Sequence, residues 1–125
     1  MTATKSFSRR RAPRLSIDRT GWLKGRRPRA ITVIDLSLTG CLVRCETLLV
    51  HGAILDLEIA LDDGPLPMRV RVVESSVNGA ACPEGGPGCL AGLEFVGLPP
   101  REDARLRRFL DEEKRRRRSA DASSR

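Results

Sequence analysis

Two short stretches concentrate residue types that recognise an anion. "RRRAPR", residues 9 to 14, sets Arg9, Arg10, Arg11 and Arg14 within six positions around Pro13. A guanidinium stays protonated at physiological pH, and its planar fork of donors matches a phosphate or another planar acceptor pair. "DLSLTG", residues 35 to 40, follows about twenty residues later and carries Asp35, Ser37 and Gly40. A carboxylate there accepts hydrogen bonds from N–H donors. Gly40 is expected to supply either a positive φ or room for a ligand to approach the backbone. Each stretch alone also has an ordinary reading: a solvated or nonspecific nucleic-acid arm for the arginines, a hairpin turn for the Asp, Ser, Thr and Gly.

The elements that must hold these residues are strands. Leu15, Ile17 and Arg19 alternate with Ser16, Asp18 and Thr20; Ile31, Val33 and Asp35 alternate with Thr32 and Ile34; Leu42 and Arg44 alternate with Cys41, Val43 and Cys45. This period of two predicts that Asp35 and Ser37 share a face. "AILDLEIALD" turns Leu55, Leu57, Ile59 and Leu61 one way and Asp56 and Glu58 the other, "LPMRVRVVES" sets Met68, Val70 and Val72 against Arg69 and Arg71, and "LAGLEFVG" adds a last apolar run. Turn residues separate the runs at Gly25 to Pro28, Ser37 to Gly40, His51-Gly52, Asp62 to Pro65 and Asn78 to Gly88. Six short strands at this spacing predict a mainly β fold, an antiparallel barrel or sandwich. Trp22 is assigned to core or barrel-rim packing. After Pro99-Pro100 the period changes: Glu102 and Asp103 suit a first helical turn, and Leu106, Phe109 and Leu110 recur as one stripe. Lys114 to Arg118 then complements the helix C-terminus, and the final residues are expected to fray.

Charge divides the chain in three. Residues 1–30 hold ten basic groups against one acid, residues 31–100 three against nine, and residues 101–125 ten against six, which sums to the net +7. The body is acidic and the ends are basic, so no continuous basic face is expected. No apolar h-region follows the N-terminal cations and no apolar run is long enough to span a bilayer, so a cytoplasmic protein without membrane insertion is expected. Cys41, Cys45, Cys82 and Cys89 are then expected to be thiols. Cys41 and Cys45 on one extended strand would stand roughly 13 Å apart, too far to share a zinc ion, and no metal is assigned. His51 has no catalytic partner pattern and is read as a surface residue. No nucleophile-base pair is evident, so an enzyme is not expected.

The spacing Arg10-x-x-x-Arg14 followed by Asp35-x-Ser37-x-x-Gly40, with strands and a closing helix after it, resembles the PilZ domain family, the bacterial cyclic di-GMP receptor module. The resemblance covers about Arg9 to Glu113 and includes "LAGLEFVGLPPREDARLRRFL", similar to that family's last strand and helix. It implies a six-stranded antiparallel β-barrel with a C-terminal α-helix and a flexible N-terminal arm: residues 1–9 as arm, 10–113 as the barrel domain with its closing helix, 114–125 as a basic, frayed tail. It implies that Arg10 and Arg14 bind guanine edges and phosphodiesters while Asp35, Ser37 and Gly40 form the barrel side. Arg9 stands where the family distinguishes one bound ligand from a stacked pair, and an arginine there favours the pair. Cyclic di-GMP is thus the expected ligand, with no further cofactor. A downstream protein partner, which the sequence does not identify, is expected to read the ordered arm.

Two other readings stand beside this one. A PilZ-like adaptor without nucleotide binding would be favoured by damaged motifs, and both motifs are intact. A small basic nucleic-acid-binding protein is disfavoured by the acidic middle and by aromatics, only Phe7, Trp22, Phe95 and Phe109, that are not interleaved with basic residues.

Overall fold

Alternating apolar side chains can be buried only if the sheet that carries them closes on one side, and here it closes on itself. In the computed structural model, which describes residues 14–25, 28–77 and 88–123, with side chains as far as Ser119, six strands form a barrel. They are β1 (Leu15–Lys24), β2 (Arg29–Leu36), β3 (Gly40–Cys45), β4 (Ile54–Leu61), β5 (Gly64–Val77) and β6 (Cys89–Phe95). The order around the barrel is β1-β2-β3-β6-β5-β4, every pairing is antiparallel, and β1 pairs with β4 to close the ring. Closure removes the free edges that an open sheet of this size would expose. The expected N-terminal arm, with Arg9 and Arg10, lies outside the described residues, as does Cys82.

The barrel interior is aliphatic. Val33, Val43, Ile59, Leu66, Val70 and Val72 are fully buried. The faces of β4 and β5 are those expected from the alternation, with Leu57, Ile59, Met68 and Val70 inside and Asp56, Arg69 and Arg71 outside. Trp22 departs from expectation: it faces outward beside Ala30 and Glu58, 37% exposed, because Gly21 and Leu23 occupy the inward positions of β1. Cys89 begins β6 and is buried, as are Cys41 and Cys45, all three as thiols.

Helix α1 (Pro100–Ser123) caps one barrel end. Pro100 fits the first helical position, where its missing N–H costs nothing, Asp103 N donates to Pro99 O at 2.8 Å, and Glu102 and Asp103 lie at the positive end of the helix dipole. Leu106, Phe109 and Leu110 are buried against the barrel. The helix does not end at Glu113 with a frayed tail after it; it continues through Lys114–Arg118 to Ser123. Glu113 explains part of this continuation, since it is 8% exposed and pairs forward with Arg116 at 2.6 Å and Arg117 at 3.9 Å.

A charged node docks the helix. Arg19 reaches Asp62 Oδ1 at 2.8 Å and Glu113 Oε2 at 3.4 Å, and its guanidinium lies 5.2 Å from the centroid of Phe109. Arg105 donates to Asp63 Oδ1 at 2.8 Å and to the carbonyls of Gly64 and Pro65, each at 2.9 Å. The tight Asp62-Asp63 turn between β4 and β5 thus receives arginines from both β1 and α1. Apolar burial supplies the larger energy, because exposed ion pairs contribute little. Leu106→Ala is expected to cost about 2–5 kcal/mol in urea unfolding, whereas Lys114→Ala, on the exposed helix surface, should stay within about 0.5 kcal/mol of wild type.

Candidate functional site

The DLSLTG stretch is where β2 leaves the barrel wall and β3 enters it. The pairing register slips between Val33 and Asp35, so that Asp35 lies opposite Leu42 and Leu36 opposite Cys41. Ile34 is the extra residue of this bulge, and it shifts the alternation by one. Asp35 therefore does not share the inward face of Val33, as strict alternation predicted. It is half-buried on the face of Leu42, while Leu36 takes the core position. Asp35 and Ser37 do not share a strand face either, because β2 ends at Leu36.

Ser37 is 1% exposed, and its hydroxyl is spent inside the turn. Its Oγ accepts from the backbone N–H groups of Thr39 and Gly40, both at 3.2 Å, and donates to the Gly40 carbonyl at 3.2 Å, while Ser37 N donates to Gly40 O at 2.9 Å. Gly40 is not in the left-handed region; it is among the described glycines without positive φ. A Cβ at Gly40 would fall well inside van der Waals contact with the backbone carbonyl oxygen of Leu93 on β6. The close approach of β3 to β6 requires the glycine, and a positive φ does not. Ser37 and Gly40 thus build the corner, and Asp35 is the member of the trio with a polar atom left to offer.

Arg14, the first residue described, closes on that carboxylate from the start of the chain. Its Nη1 lies 3.4 Å from Asp35 Oδ2, longer than a consolidated charge-assisted bond of about 2.7–2.9 Å. Asp35 Oδ1 is buried and has no hydrogen-bond partner among the described residues. Burial holds the Asp35 carboxyl above the usual carboxylate range, against the opposing pull of the Arg14 charge and of the Leu42 backbone N–H. Arg44, which the alternation placed on the strand without assigning it a role, lies on the outward face of β3 with Leu42, opposite Thr32 and Leu90. Its Nε is buried without a hydrogen-bond partner among the described residues. A lone arginine in the apolar run "CLVRC" was the available signal. Arg14 and Asp35 are brought together; Arg9 and Arg10 lie outside the described residues.

Among the described residues no group of three or more His, Cys, Asp or Glu side chains is arranged to hold a metal ion, and no helix is long and apolar enough to cross a membrane. The molecule is thus a closed six-stranded β-barrel, capped by one helix and carrying an arginine and a half-buried acid at a strand corner. The PilZ domain profile matches residues 8–112, and the chain belongs to the PilZ domain family. Comparison with curated proteins finds no match. Among solved structures, the PilZ domain of Escherichia coli YcgR with c-di-GMP is 20% identical at a TM-score of 0.72, covering 90% of this chain and 98% of that one. The Bacillus subtilis inhibitor of motility MotI/DgrA is 13% identical at a TM-score of 0.71, covering 86% and 52%. The K. pneumonia MrkH complex with c-di-GMP is 20% identical at 0.65, covering 85% and 54%. The chain thus spans about half the length of these last two proteins.

Two outcomes test the corner. Gly40→Ala must push β3 from β6 and is expected to lower stability by about 1–3 kcal/mol in thermal unfolding. Asp35 has the opposite sign. Its folded pKa lies above the unfolded value, so the folded chain holds a proton that the unfolded chain has lost, and Asp35's contribution to stability falls as pH rises from about 4 through the raised value. Asp35→Asn should remove that slope and stabilise the fold by up to about 1 kcal/mol at pH 7, read by urea unfolding across the range. A less stable Asp35→Asn protein at pH 7 would contradict this account.

Proposed function

We propose that the chain is a receptor and adaptor for cyclic di-GMP, in which the arm carrying Arg9, Arg10 and Arg14 closes over ligand seated at Asp35. The observation that carries this reading is the buried, unpaired Oδ1 of Asp35 beside the Arg14 guanidinium. An orphaned carboxylate oxygen calls for an N–H donor, and the guanidinium beside it is able to donate to a ligand's acceptor. Guanine carries both on adjoining edges, N1–H and N2–H2 for the acid and O6 with N7 for the arginine. Adenine has no N1–H or N2–H2 to offer. The structures of YcgR and MrkH that hold c-di-GMP, on the same fold, support the same ligand.

The roles divide by chemistry. Asp35 reads the base; Arg14 and Arg10, at the RxxxR spacing, take the base edge and the phosphodiesters; Arg44 adds a cation on the barrel side. Ser37 and Gly40 act through the shape of the corner. Arg9 supports a second, stacked ligand molecule. Four arginines within six positions repel one another, and a doubly anionic ligand offsets that repulsion while giving them acceptors. Ordering about six arm residues costs roughly 6–12 kcal/mol of backbone entropy, so several charge-assisted contacts of about 1.5–3 kcal/mol must form together. The closed arm then presents a surface that a partner protein reads.

Calorimetric titration with cyclic di-GMP, cyclic di-AMP and GTP tests the reading. Wild type is expected to bind cyclic di-GMP alone of the three, with two ligand molecules per chain, and Arg9→Leu to bind one. Arg14→Ala and Asp35→Ala should each weaken binding by about 10- to 150-fold, the equivalent of one lost charge-assisted contact. Equal binding of the guanine and adenine dinucleotides would refute the role of Asp35, and unchanged affinity in Arg14→Ala would refute the role of the arm.

A further inference from the structure

The barrel end remote from Asp35 carries a feature that ligand binding does not use. β1 spans ten residues, about 30 Å at strand rise, and it separates Arg14 from Lys24. At the Lys24 end the barrel mouth opens into a cavity of about 610 Å³. Leu23 and Leu49, both nearly buried, form its floor, and Leu48, Val50 and Leu55 stand around it. Leu48 is 55% exposed and Val50 74%, with Ile54 beside them at 48%. Aliphatic side chains this exposed, grouped at one mouth, are the signature of an interaction surface.

The loop that presents them is fixed. Leu49 N donates to Ser75 Oγ at 3.1 Å, Gly52 N to Val72 O at 2.7 Å, Val72 N to Ala53 O at 2.9 Å, and Ala53 N to Val50 O at 3.1 Å. Leu49 is buried as an anchor, so its two neighbours are held outward on a backbone already tied to β5. A partner would pay little ordering entropy here.

Charge selects the occupant. Among the described residues the polar side chains lining the mouth are Lys24 and Arg29, with no carboxylate in that lining, although residues 31–100 carry nine acids against three arginines. Lys24 approaches Glu58 at 3.8 Å, and Arg29 donates to Thr47 Oγ1. A second copy of this chain, packed two-fold on the same patch, would bring these cations against each other. A nucleic acid has nothing to place against Leu48 and Val50, and a flat bilayer surface does not fill a cavity floored by Leu23 and Leu49. We propose that this mouth docks a partner protein through an amphipathic segment whose aliphatic side chains enter the cavity and whose flanking carboxylates meet Lys24 and Arg29. The proposal does not depend on cyclic di-GMP.

The test selects peptides on the full-length chain from a phage-displayed random library, then measures the enriched peptides by fluorescence anisotropy. Enriched sequences should combine aliphatic and acidic residues. Their affinity should fall by roughly tenfold or more in Val50→Asp and in Arg29→Glu, and stay unchanged in Lys114→Ala at the other end of the molecule. Replacing the peptide's acids with lysine should abolish binding. Thermal melts confirm that the variants are folded. The proposal is overturned if no peptide enriches over an uncoated surface, if the enriched peptides are basic, if both mouth variants bind as wild type does, or if phosphatidylglycerol vesicles bind in a Val50-dependent way while the peptides do not.

Discussion

The structure turns on a carboxylate held partly out of water with one oxygen unpaired. Nothing about folding alone asks for Asp35 in that state, since burial raises its pKa and the Arg14 contact at 3.4 Å only partly offsets the cost. Three local features keep it there. The bulge at Ile34 turns Asp35 off the core face, the Ser37 hydroxyl locks the following turn with bonds to Thr39 and Gly40, and the missing side chain of Gly40 lets β3 lie against Leu93. A chain selected only for stability would replace Asp35.

The corner is also tied to the helix, although α1 is far from it in sequence. Ser16 pairs with Asp35 in the β1/β2 ladder, and its carbonyl accepts a hydrogen bond from Arg117. Arg19, three residues further along β1, holds Glu113 and Asp62. β1 therefore connects Arg14, at its start, with the arginines and acids that seat the last turns of α1. A change in how Arg14 meets Asp35 acts on the same strand that the helix grips. The corner and the helix are thus joined through one strand pair.

Sequence reading reached the strands because a half-buried strand writes its two environments into alternate residues. β4 shows this most clearly, with Leu57, Ile59 and Leu61 inside and Asp56 outside. The helix start was legible for a comparable reason, since Pro100, Glu102 and Asp103 each answer a local need of a first turn. What escaped was non-local. The insertion of β6 between β3 and β5 depends on which edges meet, and no residue records that. The bulges at Ile34 and between Ser16 and Arg19 break the alternation that made the strands visible, so Asp35 was put on the wrong face. The need of Gly40 for close packing was not legible, because the atom it avoids belongs to Leu93, more than fifty residues away. The helix runs past the expected boundary at Glu113 to Ser123, where Glu113 and Asp62 neutralise part of its cations, and Asp62 lies in a turn far away in sequence.

The same physics explains why the two ends of the barrel differ. Helix α1 covers one mouth with Leu106, Phe109 and Leu110, leaving the charged corner at its margin, whereas no helix covers the other mouth among the described residues. A closed barrel has two open ends and one core, so each end needs something apolar over it or it exposes the inner side chains. At the far end Leu49 turns inward as a partial plug, and its hydrogen-bonded loop sends Leu48 and Val50 outward. The charged corner at one end and the aliphatic mouth at the other separate two chemistries that conflict at close range. Water excluded from an aliphatic mouth would raise the cost of an unpaired carboxylate, and the exposed Arg14 beside Asp35 would disfavour a hydrophobic contact. About 30 Å of strand keeps each surface in the environment it requires.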